Sequence, residues 1–178
     1  MNEIQTAIVE DFGSGYVKFG HSELMGQVVG LLLCEIEPLS IDEICLALHV
    51  TKTPINQICR RLEELKLIRR IRIKGERKYH YQISPNLFLQ AGMNLTRLYE
   101  ENLNIAEYYL PTLLQKYARA LPEEKDRLKV MCERLIAMRE FHIREIESYK
   151  RFLQEWKRTK IALPSVEEYM SRMGTKAA

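Results

Sequence analysis

From Asn2 to Phe19 the apolar residues Ile4, Ala7, Ile8, Phe12, Tyr16 and Phe19 recur close to the 3.6-residue period, which predicts a helix, although Gly13 and Gly15 weaken its middle. Gly20-His21-Ser22 breaks the pattern. Ser22 is placed to cap a strongly apolar helix from Glu23 to about Glu35, ended by Pro38 and buried on most faces. Ser40-Ile41-Asp42-Glu43 reads as a capping box and opens a short helix over Ile41 to Leu48. After His49-Val50, Thr53 is a suitable N-cap and Pro54 suits the first helical position, where no N–H is needed, so the next helix is predicted over 54–65. Its apolar stripe is Ile55, Ile58, Leu62 and Leu65. Thr53, Asn56, Gln57, Arg60 and Glu64 fall on the opposite face, with Arg61 at the edge.

Beyond Ile68 the period drops to two. Ile71 and Ile73 alternate with Arg70, Arg72 and Lys74, and Tyr79, Tyr81 and Ile83 alternate with Lys78, His80 and Gln82. This predicts a β-hairpin pairing Ile73 with Tyr79 and Ile71 with Tyr81, all four inward, around a three-residue tip of Gly75-Glu76-Arg77. Ser84-Pro85-Asn86 then opens a helix to about Ala120, in which Pro111 predicts a kink or break near Glu107 to Pro111. A second long helix runs from Pro122 to about Lys160. Along it Leu128, Leu135, His142, Tyr149 and Trp156 repeat every seven residues, with Met131, Met138 and Phe152 in a second heptad position. One helix cannot bury such a seam alone, so its partners are expected in the preceding helix and in a second subunit.

The chain has 178 residues, 46% hydrophobic and 29% charged, too apolar for disorder and too short for a large multidomain enzyme. Its longest uncharged apolar run, Leu24 to Cys34, is about half of the ~20 residues a bilayer span needs. The acidic start (Glu3, Glu10, Asp11) lacks the basic flank of a signal peptide, so a cytoplasmic location away from membranes is expected. Cys34, Cys45, Cys59 and Cys132 form no C-x-x-C pair, all fall in predicted helices, and read as small hydrophobes, with redox sensing by Cys59 the weaker reading. Neither a metal site, a cofactor site nor a catalytic constellation is expected: the four histidines are scattered and no nucleophile elbow or phosphate-binding glycine loop occurs. His142 reads as a hydrogen-bonded seam histidine. Phe12, Tyr16, Phe19, Tyr108, Tyr109 and Trp156 suit helix packing better than a cage for a quaternary ammonium ligand.

Charge changes the picture most. Residues 1–50 carry one Lys against eight Asp/Glu (net −7), and residues 51–84 carry ten Lys/Arg against three Glu (net +7). Helix, short helix, helix and basic hairpin in that order predict a mainly α fold with a small β-hairpin. It is a winged helix-turn-helix followed by long dimerisation helices. A helix in the major groove presents polar groups to base edges while a cationic hairpin lies on phosphates or in the minor groove. The residues placed for double-stranded DNA are Thr51, Lys52, Thr53, Asn56, Gln57, Arg60 and Arg61 on the helix and Lys74, Arg77 and Lys78 on the wing, residues 69–83. The alternative is a winged-helix protein–protein adaptor without specific DNA binding.

Several stretches also resemble the GbsR-type branch of the MarR-like winged-helix transcription regulators, over roughly residues 12–84. They are Phe19-Gly20, Met25 to Leu33, Glu37 to Ile44, Leu62 to Ile68 and Gly75 to Tyr79. The resemblance implies a dimeric regulator assembled by its terminal helices, a wing arginine at Arg77, and in some members the sensing of small osmolytes such as choline. Gln27, Asn56 and Lys66 stand where such proteins often have arginine, serine and glycine, so neither operator nor effector carries over. The expected organisation is an N-terminal helix over 1–21 at a dimer interface, the DNA-binding domain over 22–84 and a helical dimerisation region over 85–178. Such a homodimer would bind a pseudo-palindromic operator and leave room for a small-molecule effector whose identity the residues do not indicate.

Overall fold

The structure, a computed structural model, describes residues 1–174; the last four residues of the region 85–178 lie outside it. Two compact units divide the chain, Met1–Ala91 and the part from Gly92 onward.

The first unit opens with α1 (Glu3–Lys18), capped by a reciprocal box in which Asn2 accepts from the Gln5 N–H and the Gln5 side chain accepts from the Asn2 N–H. The helix runs unbroken through Gly13 and Gly15, because the first of these is a packing position. It packs on α2 (Glu23–Cys34), capped by Ser22, where Gly26 and Gly30 bring the two backbones together. Strand β1 (Leu39–Ser40), which carries no period and was not anticipated, leads into α3 (Ile41–Leu48). The Ser40–Glu43 box forms as expected: Ser40 N–H donates to Glu43 at 2.7 Å and Glu43 N–H donates to the serine hydroxyl at 3.3 Å. Those bonds to Ser40, side chain and backbone, hold the Glu43 carboxyl below its usual range.

Helix α4 (Lys52–Glu64) begins two residues earlier than expected, with Thr51 as N-cap and no side-chain capping bond. Pro54 is tolerated there because the first-turn N–H groups have no intrahelical acceptor to lose. Ile55, Cys59 and Leu62 are fully buried on its inner face, so the stripe runs through Cys59 while Ile58 is half-buried. The helix ends in a Schellman motif, Leu67 N–H donating to Leu62 O at 2.9 Å and Lys66 N–H to Glu63 O at 2.9 Å, which drives Lys66 to φ +57°. A lysine is strained there. Lys66→Gly is expected to raise the unfolding free energy by roughly 0.5 to 1 kcal/mol, the left-handed penalty less the extra freedom of an unfolded glycine, read as a higher urea midpoint at constant slope.

Strands β2 (Ile68–Arg72) and β3 (Tyr79–Ile83) make the hairpin, and β1 adds to β3, giving the antiparallel order β1-β3-β2. The register differs from the expected one by a single residue: Ile68 pairs with Ile83, Arg70 with Tyr81, Ile71 with His80 and Arg72 with Tyr79. The slip has a physical reason. The expected pairing would have set Arg69 opposite Ile83 at the core, whereas the observed one pairs Ile83 with Ile68, which is 2% exposed. The connection is therefore six residues, Ile73 to Lys78, turned by Glu76 N–H donating to Ile73 O at 3.1 Å with Gly75 at φ +92°. Two burials differ from those expected: Tyr79, near the wing tip, is 41% exposed, and His80, expected to face outward, is buried in the central strand of the sheet.

The second unit holds most of α5 (Leu87–Arg119), with α6 (Pro122–Ile161) and α7 (Val166–Arg172), the last not anticipated and capped by a Ser165–Glu168 box. Helix α5 is not broken at Pro111. Gly92 lies against Tyr149 and Leu153, and Glu107–Arg139 (3.2 Å) and Glu100–Lys150 (3.1 Å) pair across α5 and α6. Leu128, Leu135, His142, Tyr149 and Trp156 are half-buried as expected. The more buried second position, however, is that of Cys132 and Ile146, four residues on rather than three, with Arg139 and Leu153 half-buried in it; of the expected residues Met138 is half-buried and Met131 and Phe152 are exposed. His142 bonds within its own chain: its Nδ1 lies 2.7 Å from Met138 O and its Nε2 3.2 Å from Asn102 Nδ2.

Candidate nucleic-acid interface

The first turn of α4 cannot face the core, because Ile55, Cys59 and Leu62 fix the helix rotation. Thr51, Lys52, Thr53, Asn56, Gln57, Arg60 and Arg61 are consequently all exposed. Asn56 Nδ2 donates back to Lys52 O at 2.9 Å and Arg61 pairs with Glu64 at 3.2 Å, whereas Gln57 and Arg60 are exposed and project as donors. Lys74, Arg77 and Lys78 lie together in the exposed six-residue loop at the wing tip.

The register brings further residues to the same place. Arg70, Arg72 and Tyr79 share one sheet face with Tyr81, and the guanidinium carbons of Arg70 and Arg72 lie 4.5 and 5.1 Å from the centre of the Tyr79 ring. Arg70 is also held by Glu63 of α4 at 3.3 Å. A groove between helix and wing is lined by Asn56, Arg60, Glu63, Arg70, Tyr79 and Tyr81. Arg70 and Arg72 are not among the residues expected from the sequence, because the expected register sets them opposite Gln82 and His80 and the observed one sets them opposite Tyr81 and Tyr79. The demand that both Ile68 and Ile83 reach the core was the available signal.

A second hollow, of about 310 Å³, lies between the start of α3, the start of α4 and the wing, with Asp42, Lys52, Asn56, Arg77 and Lys78 among its lining residues. Here Asp42 bridges Lys52 (2.5 Å) and Lys78, joining three elements through one carboxylate. The hydrogen bonds from Lys52 first and Lys78 second pull its carboxyl down from 3.8 to about 2. A lowered folded-state value means the bridge is complete above pH 4 and dissolves as the pH falls towards 2. No sequence pattern marks Asp42, since its partners lie 10 and 36 positions away.

Cys59 is 0% exposed, and burial pushes its thiol up to about 12. That removes the thiolate a redox sensor needs. A thiol reagent is expected to leave Cys59 unmodified in the native protein and to label it in denaturant; native labelling of Cys59 as fast as that of half-exposed Cys34 would contradict this. Of the aromatic residues considered for a cage, Phe12 packs against the core of the first unit, Tyr16 meets His21 and Phe19 is exposed. Tyr108 and Tyr109 stack edge to face on each other.

Two helices set at right order before a three-stranded wing, with an exposed polar helix face beside it, decide the architecture. The fold is a winged helix-turn-helix. No family model matches the chain. It is 28% identical over 131 residues to the HTH-type transcriptional regulator MmpR5 of Mycobacterium tuberculosis, covering 73% of this chain and 77% of that protein. A crystal structure of a transcriptional regulator superposes with a TM-score of 0.58 at 25% identity, covering 83% of this chain and 98% of that one. MepR of S. aureus, a transcription regulator of the multidrug efflux pump MepA, is 18% identical with a TM-score of 0.38 over 75% of this chain and 91% of its own, too distant to carry weight. Among the described residues no helix is long and apolar enough to cross a membrane.

Proposed function

We propose that this protein is a DNA-binding transcription regulator, not an enzyme, that inserts α4 into the major groove and lays its wing on the adjacent backbone. The observation that carries the reading is the convergence of two things on one side of the first unit: the donor-bearing face of α4 and the cationic wing. Residues 51–84, net +7, supply both. The base-reading set is Asn56, Gln57 and Arg60. Thr51, Lys52, Thr53, Arg61, Lys74, Arg77 and Lys78 contact the backbone, and Arg70 and Arg72 join them. Two relatives named as transcriptional regulators support the role, and operator binding places the protein in the cytoplasm.

The GbsR-type branch, a homodimer and control by a small-molecule effector belong to the same proposal. Exposed Met131, Phe141 and Phe152 on α6 and Tyr108 and Tyr109 on α5 supply the apolar surface for a second copy. A two-fold pair of α4 helices roughly 34 Å apart reads half-sites one helical turn apart. Selection of genomic fragments at ~0.15 M salt, where charge-driven binding to arbitrary duplex is weakened, tests the reading. Enrichment of a pseudo-palindromic site supports it. Absence of any duplex preference points instead to a protein–protein adaptor, and a monomer in sedimentation at micromolar concentration removes the dimer.

A further inference from the structure

The candidate interface contains one acidic group that its role does not explain. Asp42 stands in the first turn of α3, on the hollow lined by Lys52, Arg77 and Lys78, and its carboxylate takes both lysines at once. Lys52 opens the recognition helix and Lys78 closes the wing loop, so two cations at the helix–wing junction, though exposed along most of their side chains, have their ammonium groups tied to a protein anion. A carboxylate between two ammonium groups has the charge and the hydrogen-bond acceptors of a phosphate oxygen pair.

We propose that Asp42 is a specificity-determining residue that stands in for a DNA phosphate, tethering Lys52 and Lys78 until a closely fitting duplex displaces it. The inference rests on the DNA-binding reading above. An arbitrary duplex, held loosely by long-range attraction, does not approach the hollow closely enough to replace the bridge, so both lysines stay on Asp42. A fitting duplex delivers a phosphate into the hollow and takes them over. The arrangement lowers affinity for arbitrary DNA more than for the operator, which widens the ratio that decides occupancy among competing genomic sites.

The test compares salt dependence for two duplexes, the one enriched by selection and one of scrambled sequence. Asp42→Asn frees both lysines. Its binding to scrambled duplex is expected to tighten, with the log affinity against log salt slope steeper by about 0.9 for each phosphate gained, up to about 1.8 for each subunit bound. The enriched duplex is expected to move less, so the ratio of the two affinities falls. In a Lys52→Gln/Lys78→Gln background the Asp42→Asn change is expected to leave the slope alone, which separates the bridge from the mere loss of one negative charge. The lysine pair alone provides a check that does not depend on the folding of Asp42→Asn. Lys52→Gln/Lys78→Gln is expected to leave the slope on scrambled duplex unchanged and to make it shallower on the enriched one. An unchanged or shallower scrambled-duplex slope in Asp42→Asn, or the same steepening without the lysines, overturns the proposal while leaving DNA binding intact. Failure of the unmodified chain to bind any duplex at low salt overturns the DNA-binding reading itself, and this inference with it.

Discussion

Gly26→Ala is expected to destabilise the first unit by about 3 kcal/mol, the upper part of the range for forcing extra volume into a packed interior. A Cβ at Gly26 would stand 2.3 Å from the carbonyl oxygen of Phe12, 2.8 Å from its carbon and 2.9 Å from Gly13 Cα. All three are backbone atoms, so no side-chain rotation relieves the clash. The helix α1 has to move off α2 as a body, and Val9, 4% exposed against that surface, loses contact with it. Gly15→Ala, on the same helix pair, carries the opposite sign. Nothing lies within 4 Å of a Cβ there, and replacing a helical glycine gains about 0.5 to 1 kcal/mol. Thermal unfolding of both variants decides the matter: a lowered midpoint for Gly26→Ala beside a raised one for Gly15→Ala is expected, and equal midpoints would show that α1 does not depend on this contact.

Arg60→Ala is expected to lose about 1 to 3 kcal/mol at the selected operator and to relax base preference at one position. The residue lies on the exposed side of α4, opposite fully buried Cys59 and Leu62, in the groove that α4 shares with Arg70 and Tyr79. An arginine in that place has donors for the O6 and N7 acceptors of guanine, and a bidentate contact discriminates where a phosphate contact does not. The readout is therefore comparative. Selection repeated with the variant is expected to return the same half-site with one position degenerate, and equal weakening on all sequences would make Arg60 a backbone contact instead.

The helices were legible because each carries its own local evidence. The Ser40–Glu43 box and the i, i+3, i+7 stripe of α4 involve residues within one or two turns, so their free energies are set by neighbours in sequence. The same locality explains why the polar face of α4 was named correctly in composition but its start was not. Pro54 is compatible with any first-turn position and so does not fix the start, and the expected N-cap Thr53 lies inside a helix whose first residue is Lys52. The second heptad position of α6 was misplaced for a related reason. A spacing of three and one of four both satisfy a heptad, and only the tertiary burial of Cys132 and Ile146 chooses between them.

By itself the sequence determined the order of α1 to α4, the hairpin and the two long helices, though not β1 or α7, the polar face of α4 and the concentration of positive charge over residues 51–84, since periodicity, caps and composition act through residues close together in the chain. Tertiary structure alone decided the wing register, and with it which arginines stand beside Tyr79. A period of two leaves two pairings equally good until Ile68 and Ile83 must both reach a common core. It also decided that Gly13, Gly26 and Gly30 are contact points and not weak points, because a missing Cβ costs helix propensity locally and is offset only when another backbone occupies the space. The meeting of Asp42 with Lys52 and Lys78 is of the same kind: Coulomb attraction between side chains on three different elements has no one-dimensional signature.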